Sequence, residues 1–338
     1  MIKKLVIGLF SVLLIVGIGS FYVRSQIYFS QGSQQANKLF EIKKGEGTMQ
    51  IGKNLADQGL ISNHLYFLIY FALNQKSKAI FPGEYLLNGK MTIPEMAVVI
   101  TNPKKVYERV LFKEGWTAKQ MAAELDVHGF SGTEFLASVS HPSSEIVSAF
   151  EILGDKPQAS SLEGYLFPDT YYFSQEATSD GILKKILTNT ENKIDATLIE
   201  EIKKQNRTIF EVLTLAGIVE KEMASGTEAP MIAGVFQNRL EGQMLLQSDA
   251  TLTYVLGDKE DQHSLKDLEL DSPYNTYKYQ GLPPGPISNP GLEAILAAIN
   301  PQKSDYHFFL TVTESGSKKT IFSKTFEEHV ANRMKYGL

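Results

Sequence analysis

The run GEYLLNGKMTIPEMAVVI, residues 83–100, holds a complete folding unit in one short stretch. GEYLL reads as a strand, Asn88-Gly89 as a turn, and Thr92 as the cap of a helix with Met96 and Ile100 four and eight residues on. A threonine before a helix satisfies an otherwise unpaired N–H of its first turn. The +4 and +8 positions share one helix face, so that face packs back on the strand. LFEIKKGEGTMQIGKNL (39–55) repeats the pattern with Gly47, Ile51 and Leu55. RVLFKEGWTAKQMAAEL (109–125) repeats it with Thr117, Met121 and Leu125. Strand, turn and helix in series predict an α+β fold.

Toward the N-terminus, residues 5–23 (LVIGLFSVLLIVGIGSFYV) carry no charge. As a helix they span roughly 28 Å, close to the hydrocarbon thickness of a bilayer. Lys3 and Lys4 precede the run and Arg24 follows it. That bias favours a cytoplasmic N-terminus, with the bulk of the chain outside the cytoplasmic membrane. A cleaved signal peptide would have a shorter apolar stretch and a small-residue cleavage site, and RSQIYFSQGSQQAN offers none. The expectation is an uncleaved single-pass anchor (1–24), a charge-poor linker (25–38), a small α+β domain (39–106) and a larger mixed α+β domain (107–338).

In the larger domain, SLEGYLFPDTYYF (161–173) reads as strand and loop. Residues 178–205 and 207–223 read as helices, and 229–244 carries the stripe Met231, Val235, Phe236 and Leu240. DSPYNTYKYQGLPPGPISNPG (271–291) is a stiff loop, with three tyrosines and Pro283, Pro284, Pro286 and Pro290. Such a loop suits a binding surface and is an unlikely core element. GLEAILAAI predicts a helix, YHFFLTV and KKTIFS a hairpin around TESGS, and Thr325 to Lys335 a last helix.

Composition removes several chemistries. The 338 residues include no cysteine, which excludes disulfides, thiol catalysis, Cys-type zinc sites and a lipoprotein anchor. The net charge is −5 and no basic run interleaves with aromatics, so nucleic acid is not an expected partner. The six histidines are scattered, and HExxH, GxSxG, GxxxxGK[ST] and GxGxxG are absent. No metal and no cofactor is expected.

FEVLTLAGIVEKEMASGTEAP (210–230) is where an acid could sit. On a helical wheel Val212, Leu215, Ala216, Val219 and Met223 form an apolar stripe, with Thr214, Gly217 and Lys221 opposite. Glu220 and Glu222 fall on its two edges. A carboxyl half-buried against apolar groups has a raised pKa, the condition for a general acid near neutral pH. The wheel does not choose between the two, and ordinary rim charges would look the same.

GIVEKEMA, VFQNRL, MLLQSDATLTYVLG, SPYNTYKYQGLPPGPISNPG and FSKTFEEH occur in an order that resembles the endolytic murein transglycosylases, the YceG-like family. The resemblance runs from the anchor to the last helix. It implies a single-pass inner-membrane enzyme with an extracytoplasmic LysM-like part. It implies cleavage of the MurNAc–GlcNAc β-1,4 bond of peptidoglycan strands without water, leaving 1,6-anhydro-MurNAc ends and limiting nascent strand length. It places the catalytic acid at Glu222. Met223 follows, where the family often has threonine. Glu220, Gln247, Asp249, Tyr274, Asn275 and Tyr277 fall in motifs lining or supporting the substrate site, and peptidoglycan synthases become expected partners. Gln247 and Asn275 are candidates to stabilise the developing oxocarbenium charge, and the tyrosines of 274–279 to stack on sugars.

One acid can suffice for such a reaction. A conventional glycosidase sets two carboxylates across the bond. Here the sugar's own 6-hydroxyl captures the anomeric carbon, and one glutamate gives a proton and then takes one. Two other readings fit the residues: a membrane-anchored glycan-binding scaffold without catalysis, and a two-carboxylate muramidase. The 39–125 units resemble LysM-like glycan-binding modules, yet a purely structural α+β unit has the same cap-and-core pattern.

Overall fold

The structure, a computed structural model, describes residues 2–74, 80–257, 263–314 and 317–337. It divides into two compact units. One comprises Met1–Arg109 and Tyr172–Ala177, the other Val110–Tyr171 and Thr178–Leu338.

The first unit begins with α1 (Ile2–Tyr28) and continues through β1 (Lys38–Ile42), α2 (Thr48–Asp57), α3 (His64–Asn74), β2 (Gly83–Leu87) and α4 (Ile93–Ile100). β1 and β2 pair antiparallel, with Phe40 opposite Tyr85. Both rings are fully buried. Glu84 of β2 pairs with Tyr107 at the start of β3 (Tyr107–Leu111). With β4 (Thr170–Ser174) the sheet order is β1-β2-β3-β4.

Each predicted strand–turn–helix unit forms. Thr92 closes a full capping box with Glu95 at the start of α4. Thr117 does the same with Gln120 at the start of α5 (Ala118–Val127). Gly47 caps α2 with its backbone alone. Ile51, Leu55, Met96, Ile100, Met121 and Leu125 are all fully buried. Each such side chain stabilises its unit by roughly 1.5–3 kcal/mol.

Among the described residues, one segment is long and apolar enough to cross a membrane: Ile7–Tyr28 of α1. The helix runs on through residues 25–28, expected as linker. Ile27 is buried in the core of the first unit and Val23 packs against that core, which holds the helical end in place.

The second unit continues from α5 with α6 (Gly132–Ser140), α7 (Ser144–Ala149), α8 (Ser179–Lys193), α9 (Ala196–Lys204) and α10 (Ile209–Glu222). It then adds α11 (Ala229–Glu241), α12 (Asp249–Leu256), α13 (Leu292–Ile299), the hairpin β5 (Phe308–Glu314) and β6 (Ser317–Ser323), and α14 (Phe326–Tyr336). The hairpin tip, residues 315–316 of TESGS, lies outside the described residues.

Three sequence expectations change here. The stretch 178–205 is two helices, because the Asp195 carboxylate accepts from the amides of Thr197 and Leu198 at 3.0 Å and starts a new helix. The loop 271–291 contains no helix or strand, as expected, but Ile287, Ser288 and Asn289 are core residues. Its polar backbone is satisfied inside: Asn289 N–H donates to Trp116 O at 2.8 Å, and Asn289 O accepts from Gly115 N–H at 2.9 Å.

The third change concerns α10, which packs against α11, α12 and α13 and is buried all round from Val212 to Val219. Thr214 and Gly217, expected to face outward, are therefore covered. A Cβ on Gly217 would lie 3.2 Å from Ser288 O, so glycine lets the proline-rich loop lie against the helix. Ser288 Oγ donates to Gly217 O at 3.1 Å.

Candidate functional site

The site is built on α10. Its start is fixed twice: by the Thr208–Glu211 capping box and by Asp155, whose carboxylate accepts from Ile209 N–H at 2.6 Å. Its end is Glu222, with Met223 already extended. Glu220 and Glu222, tied on the wheel, meet different partners.

Glu222 is partly exposed, and its Oε1 accepts a 2.5 Å hydrogen bond from Ser248 Oγ. Burial raises the Glu222 pKa. The Ser248 bond and the Arg239 charge act the other way, and the neighbouring Asp249 charge adds to the rise. The net direction favours a protonated, proton-donating carboxyl.

Ser248 is presented by an unusual backbone. Gln247, just before it, is left-handed (φ 51°), a conformation that costs a non-glycine residue free energy. Gln247 N–H donates to Thr276 O at 3.1 Å, and Ser248 N–H to Thr276 Oγ1 at 3.0 Å. Thr251 Oγ1 meets Thr276 Oγ1 at 2.9 Å. The turn 247–251 is thereby laced to the loop 275–277, and the Gln247 side chain is left exposed.

Asp249 opens α12, and its Oδ1 accepts from the Tyr277 hydroxyl at 2.8 Å. Burial and Asp249 together raise the Tyr277 pKa, so the phenol stays a donor. Arg239 is buried; its Nε donates to His307 O and its Nη1 to Leu246 O, each at 2.6 Å. Its guanidinium lies 5.1 Å from the centre of the Phe308 ring. Anchored this way, it supplies a fixed positive charge that Glu222 feels.

Glu220 faces the start of α13. Its Oε2 accepts from Gly291 N–H at 2.9 Å. Burial, opposed by that bond and assisted by Glu114, pushes its pKa up to about 7. It ties the end of α10 to the end of the proline-rich loop.

The other sequence candidates divide. Asn275 is fully buried and its amide serves its own loop. It donates to Leu268 O and Leu270 O at 2.9 Å and accepts from Tyr277 N–H at 3.0 Å. Tyr274 is half-buried, its ring 5.3 Å from that of Tyr254. Tyr279 is exposed and donates to Asp271 Oδ1 at 2.5 Å.

Sequence reasoning passed over Ser248, Arg239 and Glu163 as site components. Ser248 lies between two residues already singled out, and a hydroxyl there was the available signal. Glu163 is buried, and its carboxylate accepts from Ala118 N–H at 2.9 and 3.1 Å and from Asn289 Nδ2 at 2.6 Å. Asn289 Oδ1 in turn accepts from Gly164 and Leu166 N–H at 2.8 and 3.0 Å. These two side chains bind together the start of α5, the 163–166 turn and the loop that covers α10. Among the described residues no cluster of His, Asp and Glu could hold a metal ion.

A half-buried acid at the end of a core helix, held by a hydroxyl donor, is equipped for general acid–base chemistry. The YceG-like family model matches residues 40–335. A Bacillus subtilis (strain 168) protein named endolytic murein transglycosylase is 31% identical over 333 residues, covering 96% of this chain and 91% of that one. Proteins of the same name from Streptococcus pneumoniae, strains D39 and R6, are 29% identical over 360 residues. That alignment takes in 98% of this chain and 65% of each pneumococcal protein. The crystal structure of a yceG-like protein from Listeria monocytogenes is 34% identical, with a TM-score of 0.61 over 88% of this chain and 99% of the other. The chain belongs to the YceG-like family.

Proposed function

We propose that this protein is a membrane-anchored endolytic lytic transglycosylase of peptidoglycan. It cleaves the MurNAc–GlcNAc β-1,4 bond within glycan strands and leaves 1,6-anhydro-MurNAc ends, thereby limiting the length of nascent strands. The observation that carries this reading is the Glu222 carboxyl, half-buried, raised in pKa and held by Ser248. The names of the relatives agree with it.

In this mechanism protonated Glu222 gives its proton to the glycosidic oxygen as the bond breaks. The resulting carboxylate, steadied by Ser248 and the Arg239 charge, accepts the proton of the sugar's 6-hydroxyl as that oxygen closes on the anomeric carbon. No water enters the balance, so the products weigh what the substrate did. Gln247 and the tyrosines at 274 and 277 are the proposed sugar contacts. Asn275 is assigned instead to shaping the loop, because its amide is committed there.

α1 is the proposed single-pass anchor in the cytoplasmic membrane, with Lys3 and Lys4 inside and the bulk of the chain outside. Residues 39–106 are the proposed LysM-like, glycan-binding domain and 107–338 the catalytic one. The first two strand–cap–helix units, ending in α2 and α4, fall within the first of these domains. Peptidoglycan synthases are the proposed protein partners.

The test is mass analysis of products from purified glycan strands. Wild type is expected to release anhydro ends, and Glu222→Gln to release them about 10²–10⁴-fold more slowly. A fully active Glu222→Gln would remove Glu222 as the acid. Reducing MurNAc ends, heavier by one water, would make the protein a hydrolase.

A further inference from the structure

Helix α3, HLYFLIYFALN, has no Asp, Glu, Lys or Arg. One side supplies Phe67, Tyr70 and Phe71 to the core of the first unit. The other side carries Leu65, Ile69 and Leu73, spaced four residues apart and 53%, 37% and 77% exposed. A helix that is apolar all round is covered on every side, by protein or by lipid. An apolar stripe left bare in water would be a liability.

Two contacts fix where α3 sits. Just before it, Ser62 Oγ donates to Gln26 Oε1 at 2.8 Å. Further along, the Tyr70 ring meets the Tyr28 ring edge-on at 6.4 Å. Both partners lie at the C-terminal end of α1, just past its uncharged run. If α1 spans the bilayer, residues 26–28 lie where hydrocarbon gives way to headgroups. Tyr28, 50% exposed, is the kind of amphipathic aromatic residue favoured at that depth, and the apolar Phe29 beside it is 65% exposed.

We infer that the Leu65–Ile69–Leu73 face of α3 is a membrane-docking surface, bedded in the leaflet from which α1 emerges. The occupant is lipid because the apolar face continues from a helix that is itself lipid-facing. Amphipathic segments lie in this plane with their apolar side a few ångströms below the headgroups. The inference rests on the proposed anchor. Its consequence is that the first unit is held at the membrane surface by two elements instead of swinging on one.

The test uses the full-length chain in phosphatidylcholine–phosphatidylglycerol vesicles with brominated acyl chains. The natural chain has one tryptophan, Trp116, whose emission is the baseline. Leu14→Trp reports on α1 and Leu65→Trp on α3. The expected result is added emission that bromine quenches roughly twofold or more in both variants, with Trp at 65 quenched best by the shallowest bromines. Quenching at 14 but not at 65 overturns the inference and leaves the anchor standing. So does a blue-shifted, bromine-insensitive emission at 65, which would mean that protein covers the face. No quenching at 14 removes the anchor, and the inference with it.

Discussion

Ser248 Oγ lies 2.5 Å from Glu222 Oε1, and the serine is brought there by a left-handed residue, Gln247. A hydroxyl donating to a carboxylate stabilises its charged form and lowers its pKa. Ser248→Ala should therefore raise the Glu222 pKa further. An acid with a higher pKa stays protonated to higher pH, so the alkaline limb of kcat/KM moves up. The maximal rate should fall roughly tenfold, because the carboxylate left after proton donation is less stabilised. pH–rate profiles of wild type and Ser248→Ala on glycan strands measure both. An alkaline limb that stays in place would mean the bond does not act on the titrating group.

Gln247 separates backbone strain from side-chain function. A left-handed non-glycine residue costs on the order of 1 kcal/mol, which glycine does not incur. Gln247→Gly should leave stability unchanged or raise it by about that much. If the side chain contacts substrate, as proposed, activity should fall while the melting temperature holds or rises. Thermal unfolding and a product assay on the same preparation check this. An equally active Gln247→Gly would leave the residue a purely conformational role.

Much of this fold was legible in the sequence because it is written locally. Thr92, Thr117 and the apolar positions four and eight residues after each predict helices that form with full capping boxes. The hairpin and α14 follow from similarly local signals. What was not legible depends on partners far along the chain. The loop 283–291 looks like surface by composition, and becomes core because Trp116, Glu163 and Gly217 meet it. Glu220 and Glu222 are equivalent on a wheel, and partners far along the chain distinguish them: Gly291 and Glu114 at Glu220, Ser248, Asp249 and Arg239 at Glu222. The hydroxyl that Glu222 meets comes from Ser248, the cap residue just before α12.

Stability should fall as pH rises through the mildly acidic range. Burial pushes both Glu163 and Glu220 up from the usual 4.5 to about 7. A carboxyl whose folded pKa exceeds its unfolded one makes the native state bind protons more tightly. Its stabilising share is complete below about pH 4.5 and is lost as pH rises through about 7. Each group accounts for at most about 3–4 kcal/mol of the fall between those two limits. Denaturant unfolding in detergent from pH 4.5 to 8 measures it, and Glu220→Gln should remove its own part. A flat profile would show that these carboxyls ionise normally.

Gly217 should be intolerant of branched side chains. Its Cβ position already lies 3.2 Å from Ser288 O and 3.5 Å from two backbone nitrogens of the loop. That loop is stiffened by Pro283, Pro284, Pro286 and Pro290, and is clamped by Asn289 and by the Gly291–Glu220 bond. It has little freedom to retreat. Gly217→Val should cost roughly 1–3 kcal/mol through overpacking. The strain falls one and a half turns before Glu222, so the surviving folded fraction should also lose activity, with kcat affected more than KM. Unfolding curves and steady-state kinetics separate the two effects. A stable, fully active Gly217→Val would mean that the loop yields, and that the position of Glu222 does not depend on its packing against α10.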